Sequence, residues 1–455
     1  MNDAFEYQGY WWLPGTEGDK VPGILKFDPD AGTTLDLLGS LKGLEGIVEL
    51  FEPKTILGLS SKGRLITLHD CTQTSDNLAI GRGFSTSTFV VNTVLVGEHF
   101  GNADDIGFER LVVEYLYTEA WSCATGFLFT FSKEVEESHM QWMEVKHELL
   151  EPITSHVGEG YEVILSFPRN CELSPVPRTW VNIHQPAELT IKFPQKVSFS
   201  RLHDIAFRLQ HFLSLGMRRS AYPVAVRGYT GIPGEARPVE IFYKPLGRTD
   251  NSQERPELHE MLYSRLDLPE GFGPAVARWL ERAEKLDPVY RLFLGTAYYN
   301  PQTFIEQQFL SLVTALEVYH RRIISTSEPS EKHEKRKREV LEAVPDEHRD
   351  WLQRQLTFSH EPNLEARLRE IFRKHLKVVQ AIVGYPKKVR SDFIKQVVDA
   401  RNYRAHFSER LEGRATHGAD LYPINQNLTK LLEACLMAEI GFDENKIKEA
   451  VLGLR

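Results

Sequence analysis

A change of period restricts the fold more than any other feature of this chain. Up to about residue 245, short runs rich in Val, Ile, Leu, Thr and Phe are punctuated by glycine; beyond residue 256, apolar residues recur at three- and four-residue spacing. Between the two lies Gly247-Arg248-Thr249-Asp250-Asn251-Ser252-Gln253-Glu254-Arg255-Pro256, polar and closed by a helix-incompatible proline, the best candidate linker. Such a chain must bury apolar surface in two ways, first between strands and then between helices. The expected class is α+β multidomain, a β-rich, sandwich-like N-terminal region followed by an all-α bundle. The expected division is 1–150, a β-rich domain; 151–255, a β-rich continuation with one helix; and 256–455, an all-α domain.

In the first part, strands are expected over Ile24–Phe27, Thr33–Leu38, Thr55–Leu59, Arg64–His69, Ser87–Val96 and Arg110–Tyr117, forming an antiparallel sandwich or barrel. Trp11 and Trp12 are adjacent, so on a strand one should point inward and the other outward. In the middle part, Tyr161–Phe167, Thr179–His184, Leu189–Phe193, Val224–Arg227 and Val239–Lys244 read as strands, and Leu202, Ile205, Leu209, Phe212 and Leu213 mark a helix from Phe199 to Gly216. Helices are expected over Pro274–Leu286, Pro288–Tyr299, Thr303–Ile323, Lys332–Ala343, Asp346–Leu356, Leu364–Leu376, Val389–Arg410 and Asp420–Ile440.

Composition narrows the chemistry. The 455 residues carry a net charge of -9, which disfavours wrapping nucleic acid through bulk attraction, so any such contact must be local. One place qualifies: Lys387, Lys388, Arg390, Lys395, Arg401 and Arg404 face only Asp392 and Asp399 between residues 387 and 404. The four cysteines lack CxxC spacing, which argues against a zinc site or a disulfide framework. No glycine-rich phosphate cradle sits on a strand-to-helix turn, so an ATP or GTP motor is not supported, and neither cofactor nor metal is expected. The start, Met1 to Glu6, lacks the features of a signal peptide, and no uncharged run approaches the roughly 20 residues of a membrane span. A cytoplasmic protein without membrane contact is expected.

Within the basic stretch, Val397-Val398-Asp399-Ala400-Arg401-Asn402-Tyr403-Arg404-Ala405-His406-Phe407 carries reactive groups on a helix. At about 100° per residue, Arg401 falls near the line of Val397 and Ile394, at the border of the apolar stripe, whereas His406 lies about 140° round from it. An imidazole titrates near neutrality and can accept the proton of a ribose 2′-hydroxyl and return one to the leaving oxygen. A permanently charged guanidinium can hold the phosphate oxygens. Asn402 can orient either the ribose or the imidazole, Lys395, Tyr403 and Arg404 can bind substrate, and the cluster Lys332 to Arg338 is either a solvated helix face or a grip on the RNA backbone. Tyr298 and Tyr299 are either stacking platforms or core. Glu317 borders the stripe of a central helix, so it needs a partner, either a structural arginine or the Arg401/His406 pair. Spacing alone decides little, because Arg64/His69, Arg178/His184, Arg354/His360, Arg369/His375 and Arg410/His417 repeat it.

The run Arg401-Asn402-Tyr403-Arg404-Ala405-His406, preceded by Ile394, Val397 and Val398, resembles the signature of HEPN domains, all-helical modules many of which are metal-independent ribonucleases. Phe309 to Glu317 is similar to the earlier core helix of the ApeA-like branch, and Gly9-Tyr10-Trp11-Trp12-Leu13-Pro14 with Gly23-Ile24-Leu25 resembles the opening of ApeA-type anti-phage proteins. The resemblance implies a HEPN-type bundle over 256–455 and an endoribonuclease effector of antiviral defence. It also implies catalysis by Arg401, Asn402 and His406 with Glu317 in support, and a homodimer that brings two Arg/His pairs together. The implied partners are RNA, with tRNA as one class, and a phage-derived trigger at the N-terminal part. The competing reading is a non-catalytic nucleotide- or RNA-binding module, or a protein-interaction scaffold.

Overall fold

Alternation of inward apolar and outward polar side chains builds six strands: β1 (Phe5–Trp12), β2 (Val21–Asp28), β3 (Gly32–Leu37), β4 (Thr55–Ser60), β5 (Leu65–Asn77) and β6 (Thr86–Val96). They pair antiparallel in the order β4-β1-β2-β3-β6, and β5 pairs with both β4 and β6, so the sheet closes on itself. Of the two forms expected, the barrel is the one found. This computed structural model describes residues 3–41, 53–77, 83–131, 142–158, 160–177, 179–231, 238–248, 255–325, 331–357, 359–407 and 412–454, and of His406 only the backbone. The barrel interior holds Trp11, Leu25, Leu35, Ile56, Ile66, Leu68, Phe89 and Val94, each at most 0% exposed.

Strict alternation fails at the tryptophans, since Trp11 is 0% and Trp12 4% exposed. Trp11 fills the barrel, where its ring lies over Gly58; a Cβ there would sit 2.3 Å from Trp11 Cε3, so β4 needs glycine at that position. Trp12 is covered instead by residues distant in sequence, with His99 edge-on at 5.4 Å between ring centroids and the Lys20 ammonium 4.8 Å above the ring.

Beyond the barrel run β7 (Gly107–Tyr115), α1 (Thr118–Ser122), β8 (Phe127–Phe131), β9 (Met143–His147), β10 (Ile153–Val157), β11 (Tyr161–Ser166), β12 (Asn170–Leu173), β13 (Val181–His184), β14 (Glu188–Ser198), α2 (Phe199–Met217), β15 (Pro223–Tyr229) and β16 (Val239–Phe242). The pairs β8–β9 and β12–β13 stand apart as hairpins, whereas β10-β11-β14-β7-β15-β16 continue the barrel sheet through β6. Residues Ser87 to Val91 of β6 pair with β3, and Val94 to Val96 pair with β16. α2 packs on β14 and β7, where the Tyr115 hydroxyl donates to Ala206 O at 2.6 Å. The expected division near residue 150 therefore has no counterpart in the sheet, because strands from both sides of it pair with one another. Contacts separate Met1–Glu281 from Arg282–Arg455, so the division falls within α3 (Phe272–Leu294) and not at the linker near residue 255.

The second unit is helical. After α3 come α4 (Ile305–Tyr319), α5 (Glu331–Ala343), α6 (Asp346–Gln355), α7 (Leu364–Lys374), α8 (Leu376–Ile382), α9 (Lys387–His406), α10 (Leu421–Ile440) and α11 (Glu444–Leu452). Pro288 lies inside α3, where two helices were expected, and α8 and α11 were not anticipated. α4 packs against α10 and α9, and α9 also meets α7. No helix among the described residues is long and apolar enough to cross a membrane.

Candidate active site

Pro386 precedes α9 and its fixed φ suits a helix start. The helix is held by Phe393, Ile394, Val397 and Ala400, all at most 8% exposed, which face the core at the three- and four-residue spacing of one helical stripe. α9 ends at His406, because Phe407 adopts φ 45°, a left-handed conformation, and its N–H donates back to Tyr403 O.

Arg401 leaves α9 at the edge of that stripe, as the sequence geometry requires. Its Nη2 lies 3.6 Å from Glu317 Oε2 on α4, and its Nη1 donates to Asn402 Oδ1 at 3.4 Å. The two side chains of the ion pair keep 34% and 22% of their surface exposed, so the guanidinium is fixed from the core side and still open to solvent. The partner that Glu317 needed is thus Arg401.

Arg404 is placed differently. It occupies the buried stripe four residues after Ala400 and is 8% exposed. Its Nη1 donates to Ala400 O at 3.0 Å and its Nη2 to Thr416 O at 2.8 Å, while the guanidinium lies 5.4 Å from the Phe309 ring centroid. Burial pushes its pKa down, opposed by Glu306 and Tyr403. Such a side chain ties the end of α9 to the chain that follows, and its burial weighs against the substrate contact expected of it. The spacing Phe393, Val397, Ala400, Arg404 already carried that signal.

Lys395 is exposed on α9. Tyr403 is half-buried, with the His417 ring edge-on at 4.9 Å and the Phe407 ring at 5.8 Å. His417 is thereby brought beside the end of α9, which its spacing from Arg410 did not suggest. Tyr298 and Tyr299 are not free platforms: the Tyr298 hydroxyl donates to Glu433 Oε1 at 2.8 Å, and Tyr299 is buried. The imidazole of His406 lies outside the described residues; its backbone ends α9, five residues after Arg401. No cluster of three or more His, Cys, Asp or Glu suited to a metal ion occurs among the described residues.

The geometry therefore offers a cation held by a carboxylate, beside an amide, on the helix that ends in a histidine. A cation held in this way can grip an anion. Comparison with known proteins adds two findings: the family described as ApeA N-terminal domain 1 matches residues 6–279, and the family described as Apea-like HEPN matches residues 310–446. No curated protein and no solved structure matches the chain. At the level of these families, the HEPN domain goes with a nuclease-type role in anti-phage defence and with action on RNA. With a first match spanning the β unit and a second covering α9, the chain belongs to the ApeA family and carries a HEPN domain as its C-terminal part.

Proposed function

We propose that the helical unit is a metal-independent endoribonuclease and that the chain is an anti-phage effector acting in the cytoplasm. The observation that carries this reading is the ion pair, 3.6 Å, between Glu317 on α4 and Arg401 on α9, the helix whose last residue is His406. In the reaction the His406 imidazole takes the proton of a ribose 2′-hydroxyl while the 2′-oxygen attacks the adjacent phosphorus. The bond to the 5′-oxygen breaks, and the imidazolium returns the proton to that oxygen. The products are a 2′,3′-cyclic phosphate and a 5′-hydroxyl end. Arg401 stabilises the charge that builds on the phosphate oxygens, held in place by Glu317 and Asn402. Lys395 meets the RNA backbone and Tyr403 an unpaired base.

Arg401 and His406 stand about 140° apart round an ideal helix and roughly 7.5 Å apart along it. A second copy of α9 across a twofold axis supplies the missing face, so the active form is a homodimer. The unpaired anticodon loop makes tRNA one suitable substrate class, and the N-terminal unit receives a phage-derived trigger.

The test is cleavage of RNA by the purified chain in EDTA, with sequencing of the ends. The parent should cut and leave cyclic phosphates, and His406→Ala should lower the rate by about 10²–10⁴ with an unchanged melting temperature. Cutting that stops in EDTA, or that survives in His406→Ala, overturns the mechanism.

A further inference from the structure

The barrel-bearing unit holds a cleft of about 600 Å³ that the nuclease chemistry does not use, within the size range of small-molecule sites. Its wall comes from separate parts of the chain: Lys54 before β4, Asp104 before β7, Phe199 and His203 at the head of α2, and Tyr243 and Lys244 after β16.

One side is aromatic. The His203 ring lies 5.6 Å from Phe199 and 4.9 Å, nearly perpendicular, from Tyr243. Burial holds the His203 imidazole below its ordinary pKa, opposed by Asp204, so at neutral pH it offers one donor and one acceptor. Two lysines also line the cleft: Lys54 and Lys244 are exposed on it and among the described residues neither makes an ion pair, although the field of Lys244 acts on Asp28. The 19-residue α2 also begins here, with Ser198 as its cap, and adds the positive end of its dipole. Asp70 also lines the cleft, 3.5 Å from the His69 ring, a contact that becomes an ion pair only when that ring is protonated. Asp104 adds a carboxylate to the lining as an acceptor for hydroxyl groups.

We propose that this cleft binds a nucleoside phosphate, its base against Phe199, His203 and Tyr243, its ribose hydroxyls on Asp104 and its phosphates on Lys54 and Lys244. An inorganic anion leaves the aromatic wall unused, and an uncharged heterocycle makes no use of the two lysines. The ligand that satisfies both sides carries a ring and a phosphate on one frame.

Calorimetric titration of the full chain with each of the four ribonucleoside mono- and triphosphates, with inorganic phosphate in parallel, tests the site. At least one nucleotide should bind, and the double variant Lys54→Ala/Lys244→Ala should weaken it by about tenfold or more, as expected for lost charge-assisted contacts. Asp104→Asn should weaken ribonucleotides more than the matching 2′-deoxy forms. Arg401→Ala should leave the affinity unchanged, which separates this site from the proposed nuclease centre. The proposal is overturned if no nucleotide binds, if inorganic phosphate binds as tightly as the nucleotide, if the double lysine variant binds like the parent, or if Arg401→Ala abolishes binding.

Discussion

α5 and α9 invite comparison because they are built from the same kinds of residue. Both carry a run of lysines and arginines with a histidine, yet among the described residues none of α5 is buried, whereas α9 sinks Phe393, Ile394, Val397 and Ala400 into the core. On α5, Lys335 pairs with Glu339, 3.9 Å away on its own helix and in solvent. On α9, Arg401 meets Glu317 of another helix at the border of the core. A mobile surface cation costs side-chain entropy to place, while one anchored beside packed residues is ordered before any ligand arrives. Charge density thus does not distinguish a site; what lies beneath the charge does.

The sharpest way to break that contrast is Arg401→Ala. Loss of a pre-placed donor to a charged transition state should reduce RNA cleavage by about 10²–10³, measured as kcat/KM with a synthetic RNA. If cleavage persists, the anchored arginine is only architecture.

Next in size is an effect on stability. His375, between α7 and α8, is 2% exposed, and burial pushes its pKa down to about 4 from its ordinary 6.5, with Lys374 adding repulsion. The unfolded chain therefore takes up a proton at this group below about pH 6.5, and the folded chain only near 4. Stability tied to the neutral ring is complete above pH 6.5 and falls as pH drops toward 4, by about 3 kcal/mol. In His375→Leu the fall across that window should shrink, as read from denaturant melts at several pH values.

A smaller change is expected from Glu317→Gln. The amide keeps the shape but loosens the arginine, so cleavage should fall about tenfold while stability changes by less than about 1 kcal/mol, the pair being partly exposed. Equal losses in both would make Glu317 a folding residue alone. Smallest of all should be Lys335→Ala with Arg336→Ala on α5, within about 0.5 kcal/mol in stability and with cleavage unaltered. A large loss of cleavage in that variant would instead put α5 on the RNA backbone.

Periodicity made the strands, the helices and the position of Arg401 at the stripe border legible, because these follow from local geometry. The cost of an unpaired carboxylate likewise pointed to a partner for Glu317 before any contact was visible. The charge of Arg404 hides its burial from a reading of residue type, whereas its register shows it: one further step along Phe393, Val397 and Ala400 puts it in the core. Arg369 and His375 illustrate the converse, since they share the spacing of a candidate pair, yet the arginine binds Glu365 and the histidine is buried. Contacts between remote segments left no local trace. The second buried tryptophan depends on Lys20 and His99, and closure of the barrel depends on β5 reaching β6.

β6 is bounded along its length by β5 and on its other edge by β3 and then β16. A one-residue slip of this strand would turn its inward side chains outward on two neighbouring ladders at once. Inserting or deleting a single residue within it should therefore be far more damaging than the same change in a turn. The N-terminal unit consequently has no seam along which half of it could be grafted onto another protein.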